Sequence, residues 1–213
     1  MTGVREELCA AAGRLDALGL SPGASGNVSA REGARMLITP TGVAMADVRP
    51  ADLSVLDTAS GEWIEGPKPS KEWPLHRALY GRDPASTAVV HLHSTYATAA
   101  SCLPPWRGNS ALPPLTPYFV MRVGQTPLIP YAAPGSPDQA TAIAAARRPF
   151  RAVLLQNHGP ITTGPGIAAA VAAAIELEEA AKLFLLLRDH TPVLLAPEQI
   201  AELTEKYGTP WEI

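Results

Sequence analysis

The segment "STAVVHLH", residues 86–93, constrains this chain more than any other stretch. Its β-branched, apolar body reads as a strand. In a strand, residues i and i+2 point to the same face. His91 and His93 therefore project together from its end, with Cα atoms about 7 Å apart by the strand rise. Imidazole nitrogens so placed can converge on one ion at ~2.0–2.1 Å. The same spacing also suits two hydrogen-bonded core histidines or a half-exposed strand face.

The elements around this strand mix helix and sheet. Residues 4–18 carry Leu8, Ala11, Ala12, Leu15 and Leu18 at helical spacing, with Gly19 as a stop. Residues 35–42 ("RMLITPTG") and 52–57 ("DLSVLD") read as short strands. Ser70 suits the N-cap of a helix running through Tyr80, with Pro74 tolerated in its first turn. "STYATAASCL" is helical by pattern, whereas the proline-dense residues 104–137 read largely as an extended loop. Trp106 in that loop reads as an anchor or as a pocket wall. Residues 151–157 ("RAVLLQN") form another buried-looking strand, followed by "HGPITTG". The longest helix spans about residues 166–189, and a last one runs over 197–207 to Gly208. No internal repeat or linker interrupts the pattern, so residues 1–213 read as a single α/β domain.

Composition narrows the function classes. The 213 residues are 46% apolar and 17% charged, with a formal net charge of −3. A nucleic-acid binder needs a basic excess to neutralise phosphates, and none is present. No apolar run reaches the length of a membrane span; the density near residues 184–187 is too short. Charges run through the first twenty residues, unlike a secretory signal. Cys9 and Cys102 are too few for a disulfide framework. A reduced, cytoplasmic setting is the expectation.

Further residues extend the histidine pair. His158, in "LLQNHGP", follows an apolar strand and precedes a glycine, where sites often assemble. Three histidines at strand ends can make a catalytic zinc site with an open position; a turn histidine capping a carbonyl is the plainer alternative. His76 and His190 lie in or at the end of helices and read as structural. Glu72 falls in a first helical turn, where the dipole favours a carboxylate in any case. Lys71 beside it opposes the dipole, which suits an anionic ligand or merely a solvated lysine. "SGN" (25–27) and "TPTG" (39–42) have the glycine and small polar groups of a phosphate cradle, or of ordinary turns.

Taken in order, "SGNVSAR", "LITPTG", "PSKEWPLH", "VVHLHS" and "LLQNHGPI" resemble the class II aldolase/adducin family over about residues 5–207. The resemblance implies a three-layer α/β/α fold around a mostly antiparallel sheet. It implies one Zn2+ per subunit, or Mn2+ or another divalent ion, held by His91, His93, His158 and Glu72, with Glu72 also the catalytic acid/base. Gly26, Asn27, Thr41, Gly42 and Ser70 match the family's phosphate-binding positions. Adducin-like members that have lost catalysis lack the histidines, which this chain keeps. A homotetramer with interfacial active sites is implied, and Tyr118 is the candidate for a tyrosine supplied by a neighbouring subunit. "SKE" replaces the aldolases' usual "SSE". The segments "LPPLTPYFVMRVG" and "IPYAAPGSPD" look like those of 3-oxo-tetronate 4-phosphate decarboxylases. That branch implies loss of CO2 from a four-carbon β-keto acid phosphate, through a metal-stabilised enediolate, to give dihydroxyacetone phosphate. Lys71 would help to hold the substrate's carboxylate or phosphate. The alternative is a zinc-dependent aldolase cleaving a ketose 1-phosphate to an aldehyde.

Overall fold

The computed structural model describes residues 3–212. Helix α1 (Val4–Ala17) precedes strands β1 (Asn27–Glu32), β2 (Arg35–Ile38), β3 (Ser54–Asp57) and β4 (Trp63–Glu65). Helix α2 (Trp73–Arg82) leads into β5 (Ala88–His91), α3 (Thr95–Ser101) and α4 (Pro117–Arg122). Next come β6 (Leu128–Ile129), α5 (Pro137–Ala145), β7 (Ala152–Leu155) and β8 (Gly159–Gly164). Helices α6 (Ile167–Leu187) and α7 (Pro197–Tyr207) follow. The strands form one eight-stranded sheet in the order β4-β3-β2-β1-β5-β8-β7-β6. Neighbours are antiparallel throughout, except for the parallel pair β6 and β7.

The period-2 alternation of the strands builds two cores. Val28, Ala30, Leu37, Val55, Ala88 and Val90 pack with Leu8 and Leu15 of α1 and Ala170 and Val171 of α6. Residues of opposite parity, Met36, Ile38, Leu56, Val89 and Ile161, pack with Leu75, Leu79 and Tyr80 of α2 and Ile143 of α5. Each large apolar side chain so buried contributes roughly 1.5–3 kcal/mol. The result is the three-layer α/β/α arrangement. Among the described residues no helix is long and apolar enough to cross a membrane.

One local reading is corrected, and two stretches gain detail. First, Ser70 is not the N-cap of α2: Glu72 holds that position, and the helix runs on to Arg82. Ser70 Oγ instead accepts the Glu72 N–H at 3.3 Å, tightening the turn before the helix. Glu72 and Lys71 thus stand ahead of the first helical turn, which weakens any dipole argument for either. Second, residues 104–137 run largely outside regular elements, as their prolines imply, but they also hold α4 and β6. Thr116 caps α4 by accepting the Phe119 N–H, with Pro117 at the first helical position. Leu112, Phe119 and Val123 are buried. Trp106 lies 6.5 Å from the Trp211 ring and also forms part of the wall of a cleft with Leu115 and Phe184. Third, "GPITTG" forms β8, a buried strand between β5 and β7.

Helix α6 also fixes the segment after β5. Its buried Glu178 accepts hydrogen bonds from Ser94 Oγ at 2.7 Å and from the N–H groups of Tyr96 and Ala97, each at 2.8 Å. This carboxylate caps α3 from another helix and clamps the chain beside His93. Glu178→Ala strands three donors, two of them buried, and it should destabilise the fold on the order of 3–5 kcal/mol. Urea denaturation measures this; a loss below about 1 kcal/mol would mean that the donors find other partners.

Candidate metal centre

His91 shares strand parity with Val89, so it emerges on the α2 side of the sheet. Glu72 sits at the start of α2 on that same side. His91 Nε2 lies 3.4 Å from Glu72 Oε2, and His158 Nε2 lies 3.1 Å from Oε1. His93 Nε2 is 3.1 Å from the Nε2 of both His91 and His158. His158 reaches the cluster from the turn joining β7 to β8. All four ligand atoms fall within 4.8 Å of one another. The sequence-predicted residues Glu72, His91, His93 and His158 are therefore brought together.

The donor set fits a divalent cation. Ligands at 2.0–2.1 Å around a tetrahedral ion stand about 3.3 Å apart, close to the separations observed. His91 Nδ1 faces the Pro160 carbonyl at 2.9 Å and must carry the ring hydrogen there. Neutral His91 then turns a bare Nε2 towards Glu72 and His93. Acceptors this close need positive charge among them, which one ion supplies to all four and one proton to a single pair. Burial, then the neighbouring His91 and His158, pull His93 down to about 4, which favours the unprotonated ring. Burial by itself would raise the Glu72 carboxyl, but the rings of His158 and His91 and the Asn27 amide hold it well below the usual carboxylate range. Nitrogen and oxygen donors of this kind suit zinc and manganese.

A cleft of about 530 Å³ opens beside the cluster. Its walls include Gly26, Asn27, Thr41, Gly42, Ser70 and Lys71, together with Glu72, His93 and His158. Gly26 has φ +74°, and an added Cβ would meet the His91 carbonyl at 2.9 Å; no other residue fits that approach. Gly159 likewise leaves no room, its Cβ falling 2.3 Å from the Leu92 carbonyl. Tyr118 is 54% exposed on α4 and is not among the cleft residues of its own chain. Sequence reading passed over Asn157 and Pro134, which also line the cleft. Asn157 has φ 57°, and its type, ahead of His158-Gly159, was the available signal for a left-handed turn.

Comparison with known proteins decides the family. The model described as "Class II Aldolase and Adducin N-terminal domain" matches residues 6–185. The chain belongs to the class II aldolase/adducin family. Within this family it is 43% identical to a protein of Escherichia coli O6:H1 named 3-oxo-tetronate 4-phosphate decarboxylase, covering 94% of each chain. The crystal structure of YgbL from Klebsiella pneumoniae superposes with a TM-score of 0.90 at 41% identity, covering 94% of this chain and 97% of that one. L-fuculose phosphate aldolase of Escherichia coli K12 is more distant, at 36% identity over 90% of this chain and 88% of the aldolase. Metal-dependent lyase chemistry is thus the class of activity in which this chain falls.

Proposed function

We propose that this chain is a metal-dependent decarboxylase that converts a 3-oxo-tetronate 4-phosphate to dihydroxyacetone phosphate and CO2. The observation that carries this reading is nearly full-length similarity to proteins of that name, in a chain that keeps the histidine–glutamate cluster. His91, His93, His158 and Glu72 would hold the ion, zinc by preference, with manganese also suited. A divalent ion held there supplies Lewis-acid stabilisation of developing oxyanion charge.

The remaining steps belong to the chain's own residues. Gly26, Asn27, Thr41, Gly42 and Ser70 bind the phosphate, which orients the scissile bond from a distance. Lys71 lies on the cleft wall and binds the substrate's carboxylate or phosphate. The bond from the carboxylate carbon to its neighbour breaks, and its electron pair passes into an enolate of the adjacent ketone. Glu72, on taking up a proton from solvent, then delivers it to the carbon that CO2 has left, completing dihydroxyacetone phosphate. The reading takes in one domain over residues 1–213, a cytoplasmic setting and a homotetramer in which a neighbour's Tyr118 completes the site. Similarity to the fuculose phosphate aldolase supports a second reading, cleavage of a ketose 1-phosphate to an aldehyde on the same cluster.

Parallel incubations of zinc-loaded protein with the keto acid phosphate and with a ketose 1-phosphate separate the two. Consumption of the former alone, abolished by chelator, is expected. Aldehyde release from the latter, with the keto acid intact, would place the chain on the aldolase branch.

A further inference from the structure

Behind the cluster, on the side away from the cleft, lies a chain of buried polar groups. Helix α2 carries Glu72 at its N-cap and then His76 and Tyr80 at successive turns of one stripe. Strand β1 presents Asn27 and Ser29 on the facing side of the sheet, with Asn27 paired to His91. The contacts are short: Asn27 Nδ2 to Glu72 Oε2 at 2.8 Å and His76 Nε2 to Asn27 Oδ1 at 2.6 Å. Ser29 Oγ is 2.7 Å from both His76 Nδ1 and the Tyr80 hydroxyl. His76 and Ser29 have no exposed surface, and Tyr80 is only 2% exposed.

Chemistry gives every one of these bonds a direction. An ionised Glu72 only accepts, so the Asn27 atom facing it must be the amide nitrogen. The Asn27 oxygen then faces His76, whose Nε2 must carry the hydrogen. Burial, followed by the neighbouring His91, depresses His76 to about 3, which favours a neutral ring whose Nδ1 accepts. Ser29 therefore donates to Nδ1 and accepts from Tyr80, whose phenol burial keeps protonated. Every hydrogen points the same way, from Tyr80 through Ser29, His76 and Asn27 to Glu72.

We infer that His76 is a positioning residue: its Nε2–H locks the Asn27 amide so that Nδ2–H stays on Oε2 of Glu72, leaving Oε1 to exchange the proton with substrate. The part concerning substrate rests on the reading of Glu72 as the acid/base; the direction of the chain does not. A flipped Asn27 would set its oxygen against the carboxylate and its NH2 group against the His76 hydrogen, so His76 holds from behind the orientation that the carboxylate also requires. Aligned donors of this kind also reinforce one another in a low-dielectric interior.

The first test is nitrogen NMR on zinc-loaded protein carrying 15N-labelled histidine, with His76 assigned by its absence in His76→Gln. A neutral ring with protonated Nε2 and bare Nδ1 is expected at pH 7. The opposite tautomer, or an imidazolium, would overturn the inference without reference to activity. The second test is kinetic, at saturating zinc. His76→Leu should lower kcat about 10–100-fold, with a smaller rise in KM because Asn27 also faces the phosphate. His76→Gln, which restores an N–H near the Nε2 position, should recover most of that loss. Equal impairment of the two variants, or none in either, would reduce His76 to core filling. If Glu72 itself proves dispensable for turnover, the proton-delivery reading fails, while the tautomer result stands or falls on its own.

Discussion

Replacing Glu72 by glutamine should lower kcat by about 10²–10⁴-fold, the usual range for loss of a general acid/base, while the protein still binds metal. The amide matches the carboxylate in size, so the cores under α2 are undisturbed. It can still accept from Asn27 Nδ2, which lies 2.8 Å from Oε2 in the parent. What it lacks is a group that can take up and release a proton in the working pH range. The three imidazoles remain, and three protein ligands suffice to hold a catalytic zinc. Steady-state kinetics together with metal content by mass spectrometry read both halves of this result. Unchanged turnover would remove Glu72 from the chemistry, and joint loss of metal and turnover would make it chiefly a ligand.

His93→Ala should lose metal and turnover together. Its Nε2 stands 3.1 Å from both other ring nitrogens, so it is the contact shared by His91 and His158. Without it the two remaining imidazoles and Glu72 span a widened gap. Zinc affinity should fall by more than the ~10–100-fold typical of losing an outer partner of a ligand. The fold itself should persist, because His93 lies past the end of β5 and faces the cleft rather than either core. Equilibrium dialysis against zinc, with circular dichroism as the control for folding, tests this. Stoichiometric zinc in the variant would contradict the assignment of His93 as a ligand.

These effects trace to features of unequal legibility. The alternation His91-Leu92-His93 is a local property, so the convergence of the two histidines was suggested by strand period, although β5 ends at His91 and His93 follows it. His158 was readable as a polar residue at the end of an apolar strand. Helix α4 was hidden because its start signal, Thr116-Pro117, lies in a field of prolines that also fits an extended loop. Strand β8 was hidden because glycine and proline open it, and only Ile161, Thr162 and Thr163 have strand character. The N-cap of α2 was misplaced by two residues because Ser70 has the better side chain for the task, yet the turn it closes lies one step earlier. His76 looked structural because its partner Asn27 is 49 positions away in the chain. Only the pairing of β1 with β5, and the packing of α2 across both, brings that pair together. Tyr118 carries no local signature for action on a neighbouring subunit.

On the proposed function, this chain removes CO2 from its substrate and then protonates the same carbon from one side. The most direct measurement is to run zinc-loaded protein on 3-oxo-tetronate 4-phosphate in D2O and to analyse the product by NMR after stereospecific reduction of its ketone, which makes the two positions on the hydroxymethyl carbon distinguishable. The account predicts release of CO2 and dihydroxyacetone phosphate carrying one deuterium, in a single configuration, on the carbon that bore the carboxylate. Recovery of unchanged substrate, or equal amounts of both configurations at that carbon, would contradict it.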